Sequence, residues 1–514
     1  MDIAFSRYYH ERTKYDPDTL YQKSQGLDWR SQPSPFKEYK FGKEIDLKPY
    51  LTQNYSPRDQ ENRWWQRLSF FLLCSYGITA EVPTMFGEPL YLRASPSAGG
   101  LYPAEIYVIS SGSRYLPRGI YNYQARNHTL WKYWDSDVWL NLRNACFDSP
   151  LFAKTDIALA VTAVFIRSSW RYQARAYRRI CLDSGHLLGN IELAGAMYGF
   201  KPCFIGGFLD KQVNDLLYLD PQQEGTLTVI PTICLQQRCA NDITQQFGEI
   251  SNPYPALASP ITYNYPDVED SELLDYCHRA SSIEERKILP IPETEKVDKY
   301  KWPFGVKIKL DHCQIGWQEP NSERTLQGLE NTMLSRRSTR SYTGGRITKQ
   351  QLAAILSFTY HPERYTDSGI DRHPDYFDLS SIQTFIAISG VEDLEDGCYY
   401  YAPEANELRQ IRFNNFRQEL HYLSLGQDLS RDAAAIVFHT ADLNKAIAKY
   451  GDRVYRYLHL DAGHLGQKLN LAALRIDVGV SGIAGFFDDR VNEVLGIPTD
   501  EAVLYLTTLG QPKQ

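Results

Sequence analysis

Apolar residues along the chain follow two rhythms. Over residues 59–77, Trp64, Leu68, Phe71 and Leu72 recur at helical spacing, and Gly77 closes the pattern. Short, nearly continuous apolar runs at 106–109, 119–123 and 157–161 read instead as strands. Over residues 177–198 the pattern loses its polar face, which predicts a helix buried on every side, in a large core or between two units. Residues 1–60 are polar and Pro-rich, with aromatics set among charges as in Tyr8-Tyr9-His10-Glu11-Arg12; this suits an arm laid over a domain. Residues 241–300 carry Pro253, Pro255, Pro260, Pro266, Pro290 and Pro292 among many acids, the composition of a linker. Beyond them the pattern starts again.

That restart is a repeat. With a constant shift of 278 (Tyr450 against Tyr172) and no gap, residues 171–217 and 449–495 agree at 18 of 47 positions. Tyr172, Arg175, Tyr177, Arg178, Leu182, Asp183, Gly185, His186 and Leu187 meet Tyr450, Arg453, Tyr455, Arg456, Leu460, Asp461, Gly463, His464 and Leu465. The chain therefore reads as an arm (1–60), a first copy (61–240), a Pro-rich linker (241–300) and a second copy (301–514). Arginines shared by both copies point to a structural role. His186 and His464, in a buried helix, read as core histidines bonded to backbone.

Composition narrows the function classes. A net charge of −7 and a pI near 5.9 argue against a general nucleic-acid or anionic-membrane binder. No signal-peptide pattern opens the chain, and the longest apolar stretch, residues 68–74, is too short to cross a bilayer. Nine cysteines without C-x-x-C pairs, the closest being Cys234 and Cys239, predict reduced thiols in a cytoplasmic protein and no metal set. The 36 tyrosines suit broad contact surfaces or a pocket for a flat ligand.

The copies differ where chemistry is expected. The first carries Ser95-Pro96-Ser97-Ala98-Gly99-Gly100, a small-residue loop that offers hydroxyls and backbone N–H groups to a flat polar ligand. The second has Pro374-Asp375-Tyr376-Phe377-Asp378-Leu379-Ser380-Ser381 there, without glycine. Conversely, only the second carries Ser335-Arg336-Arg337-Ser338-Thr339-Arg340, a compact anion receptor, before a helix with the capping-box spacing Thr348–Gln351. Each copy has kept one half of something.

These motifs, with Lys449-Tyr450 and Gly485-Phe486-Phe487-Asp488, resemble the SagB-type branch of the FMN-dependent nitroreductases, and most of all the azoline oxidases of cyanobactin biosynthesis. The arm residues His10–Lys14 and Asp28–Phe36 are similar to the start of tandem proteins of that branch. The resemblance implies an α+β fold, two nitroreductase-like α-β-α domains forming an intramolecular pseudo-dimer, with one FMN site built from both copies and one decayed site. It places Arg336, Arg337, Ser338 and Arg340 at the FMN phosphate and ribityl chain. Pro96, Ser97, Ala98, Gly99 and Gly100 form the facing loop, with Gly100 where the family has asparagine. Ile483, Ala484 and Gly485 become the glycine turn near flavin N5. The catalytic pair falls on Lys449 and Tyr450, the lysine ammonium lowering the phenol's pKa. Arg171-Tyr172 fills the same place in the first copy, where arginine cannot act as a base.

The implied activity is oxidation of thiazolines or oxazolines in a precursor peptide to thiazoles or oxazoles, with molecular oxygen as acceptor. A reductase of nitroaromatics or quinones using NAD(P)H, or a non-catalytic peptide-binding scaffold, stands as the alternative. Exchange of halves between two chains, giving a homodimer, is open as well.

Overall fold

The computed structural model describes residues 3–20, 26–84, 89–235, 246–248, 250–252, 255–288, 298–301, 305–320, 322–366 and 368–513. Cys239, Pro253, Pro290 and Pro292 lie outside them. Two seven-stranded antiparallel sheets dominate. The first runs, edge to edge, Lys43–Asp46, Thr129–Trp134, Gly119–Gln124, Ala104–Ser110, Ile157–Val164, Glu224–Cys234 and Phe200–Pro202. The second repeats that order as Lys307–Lys309, Glu407–Phe413, Gly397–Ala402, Gln383–Ile388, Ala435–Asp442, Glu501–Gly510 and Gly479–Ile483. Even the irregularities repeat: bulges at Ile120/Tyr121 and Val161/Thr162 return at Cys398/Tyr399 and His439/Thr440, with the same shift of 278. The fold is thus duplicated, as the repeat predicts, and α+β, as the resemblance implies. No helix among the described residues is long and apolar enough to span a membrane.

Five of the helices frame the core: α1 (Phe5–Arg12), α2 (Gln60–Tyr76), α3 (Ala176–Tyr198), α4 (Leu273–Ala280) and α5 (Val454–Arg475). The all-apolar stretch is α3, capped by left-handed Gly199, and its partner in the other copy is α5. The two pack on one another along the centre of the molecule. A Cβ on Gly185 would fall 2.1 Å from the Leu460 carbonyl oxygen, and one on Gly463 2.2 Å from that of Leu182. Glycine at both positions lets the backbones touch where the pseudo-two-fold axis crosses.

The Pro-rich stretch is no tether, and the arm is no mere cover. Helices α1 and α4 occupy equivalent places, aligned by a shift of 268 (Tyr276 against Tyr8): Tyr8, His10 and Thr13 meet Tyr276, His278 and Ser281. The contacts match as well. Arg178 donates to the His10 carbonyl and the Thr13 hydroxyl, and Arg456 to the His278 carbonyl and the Ser281 hydroxyl. His10 bonds Tyr455, and His278 bonds Tyr177. Each arginine pair also reaches an aspartate of the other copy: Arg175 and Arg178 hold Asp488 at 2.8 and 2.7 Å, Arg453 and Arg456 hold Asp210 at 2.6 and 2.7 Å. Arm and linker are therefore the opening segments of the two copies. A ten-residue difference in spacing hides this from an ungapped comparison. Strand Lys43–Asp46, expected within the arm, is an edge of the first sheet.

His186 and His464 are buried, but their partners are side chains of the opposite copy, Gln467 and Tyr505 for the first and Glu192 for the second. The eight described cysteines are free thiols.

Candidate active site

The loop after strand Leu90–Arg93 is shaped by left-handed backbone at Gly99 and Gly100, both at φ 67°. Asp183 on α3 pins it, accepting from the Ser97 hydroxyl at 2.6 Å and the Ala98 N–H at 3.1 Å. The Ser97 oxygen in turn accepts from the Tyr102 N–H at 2.9 Å. Burial pushes Asp183 up to about 7, against the hydrogen bonds of Ser97 and Ala98, which favour the carboxylate.

This loop forms one lip of a cavity of about 410 Å³ between the copies. Pro96, Ser97, Ala98 and Gly99 line it from the first copy; Ser338, Arg340, Ile483, Ala484 and Gly485 line it from the second. The segment carrying Ser338 is tied to the last strand of its sheet by reciprocal bonds between Thr339 and Val480, both 2.9 Å. A Cβ on Gly482 would overlap the Tyr505 hydroxyl, so glycine is required where that strand meets the cavity. Nine of the fourteen residues expected at the site thus converge here.

Five do not. Gly100 sits outside the lining. Arg336 is buried and donates to the Ala94 and Arg93 carbonyls, while Arg337 donates to Thr79, so both stitch the second copy to the first instead of facing the cavity. Arg336 nevertheless keeps Nη1 buried without a partner among the described residues, and burial brings its pKa down to about 10. Lys449 and Tyr450 lie at the pseudo-symmetric position, against the other loop. Lys449 pairs at 2.6 Å with Asp378, which takes the N-cap position of the short helix in the second copy's loop, as Ser97 does in the first. Burial first, and then the Asp378 carboxylate, raise the Tyr450 phenol; the expected lowering by lysine is reversed because that ammonium is already neutralised. The residues that share the cavity are Arg171 and Tyr172.

The pseudo-symmetric site is filled. Asp461 holds the backbone of Phe377 and Asp378 as Asp183 holds its loop. The Phe377 ring, however, stacks on Tyr457 with centroids 5.1 Å apart, and Tyr376 stacks on His464 at 4.4 Å. A Cβ on Gly206 would come within 2.7 Å of Phe377 and 2.5 Å of Tyr457. Aromatic side chains occupy the space that the first loop, with its Ala98 and Gly99, leaves open.

Sequence reasoning passed over Arg179, Asp183 and Tyr15. Asp183 belongs to the repeat match; Arg179 is where that match breaks, facing Tyr457. Tyr15, from the arm, lies with its ring centre 6.0 Å from the Arg179 guanidinium and comes within 4.0 Å of where a Cβ on Gly485 would project. Burial raises its pKa, but Arg179 and Arg175 outweigh this and leave it lowered. Burial raises Tyr172 in spite of Arg179 and Arg171.

The nitroreductase family model matches residues 80–231 and 333–511. A solved structure from Anabaena variabilis, assigned as a nitroreductase, is 56% identical, with a TM-score of 0.92 over 99% of this chain and 100% of its own. A protein of Methanocaldococcus jannaschii, also assigned as a nitroreductase, is 28% identical over 184 residues, 36% of this chain and 90% of that protein. The microcin B17-processing protein McbC of Escherichia coli is 25% identical over 142 residues, 27% of this chain; the match spans 52% of its length.

Proposed function

The chain belongs to the nitroreductase family, and from that premise we propose that it is an FMN-dependent azoline oxidase, converting thiazolines or oxazolines of a precursor peptide to thiazoles or oxazoles. One observation carries the reading: the loop kept by one copy and the basic segment kept by the other meet at a single cavity, while the second site is filled. The likeness to a microcin B17-processing protein supports a peptide substrate.

The donor set fits FMN. Ser338 and Arg340 supply a hydroxyl and a cation for the phosphate and ribityl chain, with the orphaned Nη1 of Arg336 close by in sequence. The small residues of the loop and the turn at Ile483-Ala484-Gly485 leave room for a flat ring. FMN bound there would supply a two-electron acceptor for the hydride, with molecular oxygen as terminal acceptor.

Aromatisation also removes a proton from the ring carbon next to the carbonyl, and the chain must take it. Arg171 stays protonated and cannot. Tyr172 is held toward the neutral phenol by burial. Tyr15, beside the glycine turn and Arg179, has its phenol lowered by the Arg179 and Arg175 charges and is assigned the proton-accepting role.

Incubation of the FMN-loaded protein with a thiazoline-bearing peptide, followed by mass spectrometry, tests the reading: about two mass units are lost per ring. Tyr15→Phe should slow that loss about 100-fold or more with flavin still bound, whereas Tyr450→Phe should not. An unchanged mass with flavin in place rejects azoline oxidation. Arginine where the resemblance carries lysine favours a second reading, reduction of nitroaromatics or quinones; bleaching of the flavin by NADPH would support it.

A further inference from the structure

Two arginines of the cavity are left over once Ser338 and Arg340 are given to the cofactor. Arg171 and Arg179 both come from the first copy. Arg179 is only 6% exposed, yet its Nη1 has no hydrogen-bond partner among the described residues. Its guanidinium lies 3.9 Å from the centre of the Tyr172 ring, and its Nη2 lies 3.5 Å from where a Cβ on Gly485 would project. Arg171 is 5.7 Å from the ring centre of Trp29 and 5.6 Å from that of Tyr172, with Nη1 3.2 Å from the Cβ direction of Gly99. The pair therefore spans the cavity from the loop to the glycine turn.

Neither arginine forms a close ion pair with a carboxylate among the described residues, although Asp183 lies near enough to Arg179 for that charge to favour its carboxylate form. Asp183, the acid of the cavity, is committed to Ser97 and Ala98. The pseudo-symmetric half shows a neutralised version of the same positions: Lys449 replaces Arg171 and is paired with Asp378, and uncharged Tyr457 replaces Arg179. A buried guanidinium without a counter-ion is costly, and an anion brought by a ligand offsets that cost.

We infer that Arg171 and Arg179 form an anion subsite beside the reacting ring, and that the substrate places a carboxylate there, from an acidic side chain or chain end next to the azoline. This rests on the azoline reading above. Guanidinium forks match the planar, two-oxygen geometry of a carboxylate.

The test uses the FMN-loaded protein and two probes that differ by one charge, 2-phenylthiazoline-4-carboxylate and 2-phenylthiazoline-4-carboxamide, titrated against the flavin absorbance. The carboxylate should bind at least about tenfold more tightly, the loss expected from one charge-assisted hydrogen bond, with the gap narrowing in high salt. Arg171→Gln and Arg179→Gln should each erase most of that preference at unchanged FMN content. Equal binding of the two probes, or a preference that survives both substitutions, overturns the subsite. Loss of FMN from Arg179→Gln would assign that arginine to the cofactor and overturn its part; if that variant does not fold, Arg171→Gln decides alone. A carboxylate preference without oxidation of either probe leaves the subsite standing and removes the azoline reading. Oxidation of both at equal affinity does the reverse. Should the purified protein hold no FMN, the same titrations are read by calorimetry, with the same outcomes deciding.

Discussion

A Cβ on Gly99 would come within 2.9 Å of the Tyr172 hydroxyl and 3.2 Å of Arg171, on backbone at φ 67°. Gly99→Ala therefore pays left-handed strain of about 1 kcal/mol and also crowds the cavity. We expect FMN affinity to fall about tenfold or more with far-UV circular dichroism unchanged; equal affinity would place the ligand elsewhere. Asp183 makes a different prediction. Its folded pKa of about 7 exceeds the ordinary 3.8, so over that window the native state keeps a proton the unfolded chain has lost. Stability from this group is therefore greatest at low pH, falls as pH rises from about 4 to about 7, and is level above. Urea midpoints measured from pH 5 to 8 should decline less steeply in Asp183→Asn than in the parent. Asp461, also raised to about 7 by burial, keeps part of the slope in that variant.

At the scale of elements, α3 and α5 decide whether two copies become one molecule. Their axes meet backbone to backbone at Gly185 and Gly463, a contact no larger residue permits without displacing a helix. Gly463→Ala should lower stability by about 1–3 kcal/mol, the usual cost of overpacking, and move residues of both copies at once. A thermal melt with the parent midpoint would show that the helices slide apart freely. The same two helices carry the loop anchors Asp183 and Asp461, which is how a buried glycine contact bears on the mouth of the cavity.

For the whole molecule, the reciprocal clamps make the opening segment of each copy part of the interface. Burial raises Asp488, but Arg175 and Arg178 outweigh it and hold its pKa below the usual range. Of the two pseudo-equivalent sites, one is open and the other is filled by Phe377 and Tyr457, which predicts about one FMN per chain, measured by flavin absorbance against protein concentration. A ratio near two would mean that the aromatic plug moves aside. Because both lips of the cavity belong to one chain, exchange of halves is not needed to complete it, and with FMN held in excess the ratio should not change with chain concentration.

The amino-acid sequence by itself determined the duplication, the fold class and the identity of both lips. Each is written in short, contiguous motifs or in a repeat with constant spacing, such as Ser97–Gly99 and Ser338–Arg340. Three things were decided only by the tertiary structure. A shift of 268 in place of 278 concealed the kinship of α1 and α4 until their contacts could be compared. Arg336 and Arg337 turned away from the cavity because neighbouring residues on one segment project in different directions. Lys449 and Tyr450 went to the filled site because, in a pseudo-dimer, a motif on one copy can serve either of two sites, and linear order does not say which. That choice depends on which loop each copy's helix faces across the pseudo-two-fold axis, a relation among residues far apart in the chain.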